Sequence, residues 1–168
     1  MKIKFNKEDV FLATVRLPQF NLYKGTGAMQ LRLVRPDFEI EAGSFPKPGC
    51  IYLDMCPSTG QKDPRTGNPT YNWADQKITM KLNDKDIADF ILGLRNGEGK
   101  IVHDPNAGTS DKGGDKKFLN IDKGKMEGTM LINIKFADRK AMVPIDSNER
   151  LRLGLMLQAA IPAIYGWN

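Results

Sequence analysis

Apolar and polar residues alternate over several short stretches of the chain. Met29, Leu31 and Leu33 alternate with Gln30 and Arg32. Ile51, Leu53 and Met55 alternate with Cys50, Tyr52 and Asp54, and Ile78, Met80 and Leu82 with Lys77, Thr79 and Lys81. A period of two predicts half-buried antiparallel strands with one wet face. An earlier strand fits residues 19–24, and the Pro/Gly-rich stretch 57–69 reads as a long hairpin loop. The period then changes. Ile87, Phe90, Ile91 and Leu94 have helical spacing behind a cap at Asn83 or Asp84, and Asn96-Gly97 ends the helix. Strands return at residues 100–103, 116–121, 129–136 and 140–145, with a polar, Gly-rich loop at 104–115. In the third of these strands Met130, Ile132, Ile134 and Phe136 share one face, with Asn133 and Lys135 on the other. The last predicted element is a helix over 147–164, capped by Asp146 with Glu149 completing a capping box. Apolar residues surround most of it, which calls for burial on more than one side, and Pro162 should kink or break it near its end. Four strands, a helix, four strands and a helix imply an α+β fold with antiparallel sheets.

Composition narrows the chemistry. A chain of 168 residues with 40% apolar and 27% charged residues can bury a core of its own and suits one domain. No apolar run approaches the ~18 residues of a membrane span. Residues 1–11 carry neither an apolar signal core nor a transit pattern, so the expected place of action is a reducing cytoplasm, bacterial or that of a host cell. One histidine, His103, and two cysteines, Cys50 and Cys56, exclude a Cys/His zinc site and a disulfide framework. The two cysteines share one face of a strand about 20 Å apart, so they read as free thiols. Gly25-Thr26-Gly27 lacks the frame of a phosphate-binding loop and reads as a tight turn or a close strand approach. His103-Asp104 has no nucleophile frame beside it, and the loop after Asp104 lacks the ligand spacing of a calcium loop. No catalytic residue, metal or cofactor is expected.

What remains is a surface. The chain has 25 Lys plus Arg against 20 Asp plus Glu, a net charge of +5. On outward strand positions Gln30, Arg32, Tyr52, Trp73, Lys77, Thr79, Lys81, Asn133 and Lys135 mix cations with aromatics. Single-stranded nucleic acid asks for that mixture, because Lys and Arg track phosphates while rings stack on unpaired bases.

Several segments, in order, resemble the Whirly family of single-stranded-DNA-binding proteins. They are Tyr23-Lys24-Gly25-Thr26-Gly27-Ala28-Met29, Arg35-Pro36-Asp37-Phe38-Glu39, Tyr71-Asn72-Trp73 with Gln76-Lys77, His103-Asp104-Pro105 with Ser110-Asp111 and Gly114, Val143-Pro144-Ile145, and the closing Ile164-Tyr165-Gly166-Trp167. The resemblance covers roughly residues 19–167 and leaves 1–18 as an N-terminal extension to a single domain, 19–168. It implies two four-stranded antiparallel sheets packed at a steep angle, each followed by a helix, and a homotetramer held by the C-terminal helices. It also implies a non-enzymatic protein that binds single-stranded DNA, with RNA as the alternative ligand because related folds include guide-RNA-binding proteins. The process served would be replication, recombination, repair or transcription, in a bacterial or viral relative that needs no import. The expected contacts are phosphates at Lys24, Arg32, Lys77, Lys81 and Lys135, bases at Tyr23, Tyr52 and Trp73, and close backbone approach at Gly25 and Gly27. The family's second motif lysine is Thr26 here, which puts any role of that lysine in doubt.

Overall fold

The computed structural model describes residues 19–36, 47–107 and 114–167, so the extension 1–18 lies outside the described residues. Among the described residues, two antiparallel sheets and two helices make up the architecture. The first sheet contains β1 (Phe20–Tyr23), β2 (Gly27–Val34), β3 (Cys50–Lys62), β4 (Pro69–Tyr71) and β5 (Ile78–Leu82). Helix α1 (Asp84–Asn96) follows, then the second sheet of β6 (Gly99–His103), β7 (Lys117–Lys123), β8 (Met130–Phe136) and β9 (Arg139–Ile145), and finally α2 (Ser147–Ile164).

The alternation places the strands as expected. In the first sheet Leu22, Met29, Leu31, Leu53, Met55, Ile78 and Met80 are buried on one face. In the second, Leu119, Ile121, Ile132, Ile134 and Val143 do the same, and these side chains join one core with Phe90 and Leu157 from the helices. The expected hairpin loop is different. β3 runs on through Lys62, and Pro69–Tyr71 pairs with its outer half as a fifth strand of that sheet. Ser58 to Lys62 is half to fully exposed, so no apolar alternation marks it, and a two-stranded ribbon tolerates Gly60 where a central strand would be weakened by it.

Local signals set the helix ends. Asn83 caps α1, accepting from the Asp86 amide at 2.9 Å while the Asp86 carboxylate accepts from the Asn83 amide at 3.0 Å. Gly97 ends it at φ 83°, a left-handed conformation that glycine adopts without strain. Asp146 and Glu149 form the expected capping box on α2. Pro162 does not break α2, which continues to Ile164; it sits in the last turn, where little helix remains to disrupt. Leu153, Leu157, Ala160 and Ile164 of α2 face the core, whereas Leu151, Leu155 and Met156 are exposed in the single chain.

The sheets meet where β2 and β3 approach β9. Gly27 is the reason they can. A Cβ on it would stand 2.7 Å from the Met142 carbonyl oxygen and 2.9 Å from that of Cys56, inside contact distance of two backbones. Beside it the Thr26 hydroxyl donates to the same Met142 carbonyl at 3.1 Å. At the other end of the junction, Phe136 lies between Lys117 and Arg139, whose cationic groups stand 5.0 and 5.2 Å from its ring centre. Both cations reach over to β5 and the turn before it. Lys117 donates to the Thr79 carbonyl at 2.8 Å, and Arg139 to those of Lys77 and Asp75 at 3.1 and 3.4 Å.

Cys50 and Cys56 are free and buried on the outer face of β3. Burial pushes both thiols above their ordinary value, against an opposing pull from Lys81 and Arg32 at Cys50 and from the Asn72 backbone at Cys56. Raised and inaccessible thiols are poor nucleophiles. A colorimetric disulfide reagent at neutral pH should therefore titrate both quickly in urea and neither quickly in the native protein; fast native labelling would mean that this face opens.

Candidate nucleic-acid interface

The outer face of the first sheet is built in rows across β1, β2, β3 and β5. Register sets Tyr23, Ala28 and Cys56 side by side, then Asn21, Gln30, Asp54 and Thr79, then Arg32, Tyr52 and Lys81. Rows on one face repeat every second residue, about 7 Å apart. The face is thus aromatic at one end and cationic with one ring at the other.

The aromatic end is a cluster. The ring centre of Tyr71 lies 5.7 Å from that of Tyr23 and 6.4 Å from that of Trp73. The Tyr71 hydroxyl donates to the Lys24 carbonyl at 2.8 Å. Burial, with Tyr23 alongside, pushes this phenol above its ordinary value, so it stays a neutral donor. Tyr23 is 53% exposed, and its hydroxyl accepts from Gln30 at 2.9 Å. These contacts fix the rings at one edge of the sheet while leaving the outermost one open.

At the other end the Arg32 guanidinium lies 5.2 Å from the centre of the Tyr52 ring. Asp54 holds it there, with Arg32 Nη2 at 3.7 Å from one carboxylate oxygen and the Thr79 hydroxyl donating to the other. Asp54 is buried at the centre of this face. A base reaching Tyr52 stacks on the guanidinium plane or displaces it, and both planes suit a nucleobase.

The site residues expected from sequence separate into three groups. Tyr23, Arg32, Tyr52 and Lys81 share the outer face of the first sheet. Trp73 and Lys77 belong to the same end of the molecule but not to a strand: Trp73 lies in the turn after β4, half-buried beside Tyr71, and Lys77 is exposed just before β5. The remaining four stand differently. Lys135 is on the outer face of the second sheet, so strand alternation gave its face but not its sheet. Lys24 is already matched in charge, its Nζ 2.6 Å from Glu149 of α2. Gly25 has open space around it, and with Thr26 it forms the two-residue turn closed by the Lys24 and Gly27 backbones. Gly27 is buried between the sheets, where its missing side chain lets β9 pack close. Tyr71, part of the Tyr71-Asn72-Trp73 segment, and Asp54 are not among the contacts expected from sequence. Tyr71 was signalled by its place two residues before Trp73, and Asp54 by its position between Tyr52 and Cys56 on an alternating strand.

His103 does not pair with Asp104. Its Nε2 lies 3.0 Å from Asp86 of the α1 capping box, while Asp104 pairs with Lys116 at 2.7 Å. The Lys116 ammonium, donating to it, lowers the Asp104 carboxyl below its ordinary value. Among the described residues no three His, Cys, Asp or Glu side chains stand close enough together to hold a metal ion. None of the described helices is long and apolar enough to cross a membrane.

The described residues form a two-sheet α+β protein with cations and aromatic rings on the outer face of its first sheet. The profile of the Whirly transcription factor family matches residues 22–155, and the chain belongs to that family. The chloroplastic single-stranded DNA-binding protein WHY1 of Solanum tuberosum is 23% identical over 159 residues, an alignment that takes in 89% of this chain and 55% of that protein. The chain thus spans about half the length of the curated relative it matches. The plant transcriptional regulator PBF-2 has the same fold, with a TM-score of 0.70 at 22% identity over 89% of this chain and 83% of that one. WHY1 from Arabidopsis thaliana gives a TM-score of 0.69 at 24% identity over 89% and 86%. At these identities the likeness to the solved structures is one of fold.

Proposed function

We propose that the protein binds single-stranded DNA without catalysing a reaction, using the outer face of the first sheet. The observation that carries this reading is the row of Arg32, Tyr52 and Lys81 beside the cluster of Tyr23, Tyr71 and Trp73. Rings accept bases and the cations accept phosphates, and a flat sheet face has no groove geometry for a duplex. Membership of a family with a relative named for this ligand supports the same conclusion. Sequence preference is weak, because every base has a face to stack. The cationic contacts are made by Arg32, Lys77 and Lys81. Lys24 instead holds the β1–β2 turn to α2 through Glu149. The working unit is an oligomer, a homotetramer by family resemblance, joined through the exposed apolar face of α2. It acts in the cytoplasm, in replication, recombination, repair or transcription.

A gel shift with single-stranded DNA, duplex DNA and RNA oligomers across a salt series tests this. Single-stranded DNA should bind tightest, with affinity falling steeply as salt rises. Equal or tighter binding of RNA of the same sequence would transfer the assignment to RNA, since the 2′-hydroxyl is then being read. Trp73→Ala should weaken single-strand binding by about tenfold, the value of one stacked base, while leaving the melting temperature within a few degrees. Unchanged binding would make Trp73 a support for Tyr71 alone.

A further inference from the structure

The outer face of the first sheet holds a buried negative charge where a polyanion is to bind. Asp54 is only 7% exposed, and a carboxylate under a chain of phosphates repels it. Its contacts show what it is for. The Thr79 hydroxyl donates to Oδ1. Arg32 Nη2 lies 3.7 Å from Oδ2, while the Arg32 side chain remains 47% exposed. Among the described residues Arg32 is the one cation paired with this carboxylate.

That dependence limits what Arg32 can do. A buried carboxylate stripped of its cation is left uncompensated, which costs more than an exposed ion pair returns. A phosphate therefore does not draw the guanidinium away. Arg32 stays over Tyr52, its guanidinium carbon 5.2 Å from the ring centre. On the other side of Tyr52 stands Lys81, exposed and in no ion pair among the described residues. One cation of the row is held and the other is free.

We propose that the row of Arg32, Tyr52 and Lys81 is a subsite for one nucleotide, with Asp54 as its positioning residue. The base stacks on the guanidinium that Asp54 holds over Tyr52, and Lys81 meets the phosphate. The row spans two strand spacings, about 10 Å, the size of one nucleotide. The assignment rests on the strand-binding reading above and goes beyond it by giving the two cations different tasks. Arg32 supplies a plane as well as a charge, and its exposed N–H groups still face the strand, whereas Lys81 supplies a charge alone. Fixing Arg32 before the strand arrives removes the cost of ordering a long side chain on binding. Base identity is not read, since every base has a face to stack.

Charge alone predicts that removing Asp54 tightens binding; a positioning role predicts the reverse. Fluorescence anisotropy with oligo-dT, and with an abasic oligomer of the same length, separates them at one moderate salt concentration. The proteins are the wild type, Arg32→Lys, Asp54→Asn and the double variant. Asparagine keeps an acceptor for Thr79 and lysine keeps a cation for Asp54, so melting temperatures should stay within a few degrees of the wild type; Asp54→Ser serves if asparagine does not fit. Each single variant should bind oligo-dT about three- to tenfold more weakly than the wild type. The double variant should lose no more than Arg32→Lys alone, because Asp54 acts through Arg32. The abasic oligomer has phosphates and nothing to stack, so Asp54→Asn should bind it at least as tightly as the wild type does. Unchanged or tighter oligo-dT binding by Asp54→Asn overturns the assignment. Losses that add in the double variant, or an equal loss on the abasic oligomer, overturn it too. A wild type that binds neither oligomer overturns the strand-binding reading itself, and this subsite with it.

Discussion

Gly27→Val should destabilise the protein by about 3 kcal/mol or more, the upper end of what overpacking costs. The new side chain would collide with carbonyl oxygens of Met142 and Cys56, which belong to β9 and β3. Neither is the free end of a flexible side chain, so relief requires one sheet to move off the other. The movement would also break the Thr26 bond to Met142. Gly25→Ala, two residues away, meets nothing within 4 Å and should change stability by no more than about 0.5 kcal/mol. Urea unfolding measures both, with the midpoint falling for Gly27→Val and the slope unchanged. A Gly27→Val variant as stable as the wild type that binds strands poorly would restore Gly27 to the ligand and contradict its place between the sheets.

On the oligomer proposed above, Leu155→Asp should leave the chain folded and dissolve the assembly. Leu155 is 56% exposed and Leu151 63% exposed in the single chain, beside a groove lined by Ile91, Leu94 and Gly154. An aspartate there meets water in a monomer and an apolar surface in an oligomer. The expected readout by light scattering is a fall from tetramer to monomer mass. Strand affinity should fall with it, by about a hundredfold, because linked sites on one oligomer bind a long strand together. Leu153→Asp, two residues away on the core-facing side of the same helix, is the contrast. Leu153 is fully buried, so that change should unfold the chain. A wild type that is monomeric at all concentrations, or a Leu155→Asp variant that remains tetrameric, would remove α2 from the interface.

The sheets were legible in the sequence because each strand buries one face and period two survives in its composition. Met29 to Leu33 and Ile78 to Leu82 fell where the alternation put them. The helix ends were legible because capping is local chemistry: Asn83, Gly97 and Asp146 act within four residues of themselves. The outer half of β3 was not, since a ribbon exposed on both faces has no reason to alternate. The candidate site divides along the same line. Arg32, Tyr52 and Lys81 could be read as outward, because facing is a property of one strand. Their adjacency in one row, the pairing of Lys24 with Glu149, and the separation of Lys135 onto the other sheet depend on register and long-range packing, which no single stretch encodes. Gly27 is the sharpest case. Its neighbour in space is Met142, and only the smallness of the residue hinted that something came close.

The reach of Lys117 and Arg139 across to β5 has a bearing on the protein's behaviour in a crowded solution. Among the described residues β5 pairs with a strand on one side only, β3. Its other side would present a ladder of unpaired carbonyls, the template on which a stray strand from another molecule adds itself. The Thr79 carbonyl of β5, and those of Asp75 and Lys77 in the turn before it, are instead occupied by Lys117 and Arg139 of the same chain. Two cations of the same chain thereby block part of this border to a stray strand, while the outer face of the sheet beside it stays open.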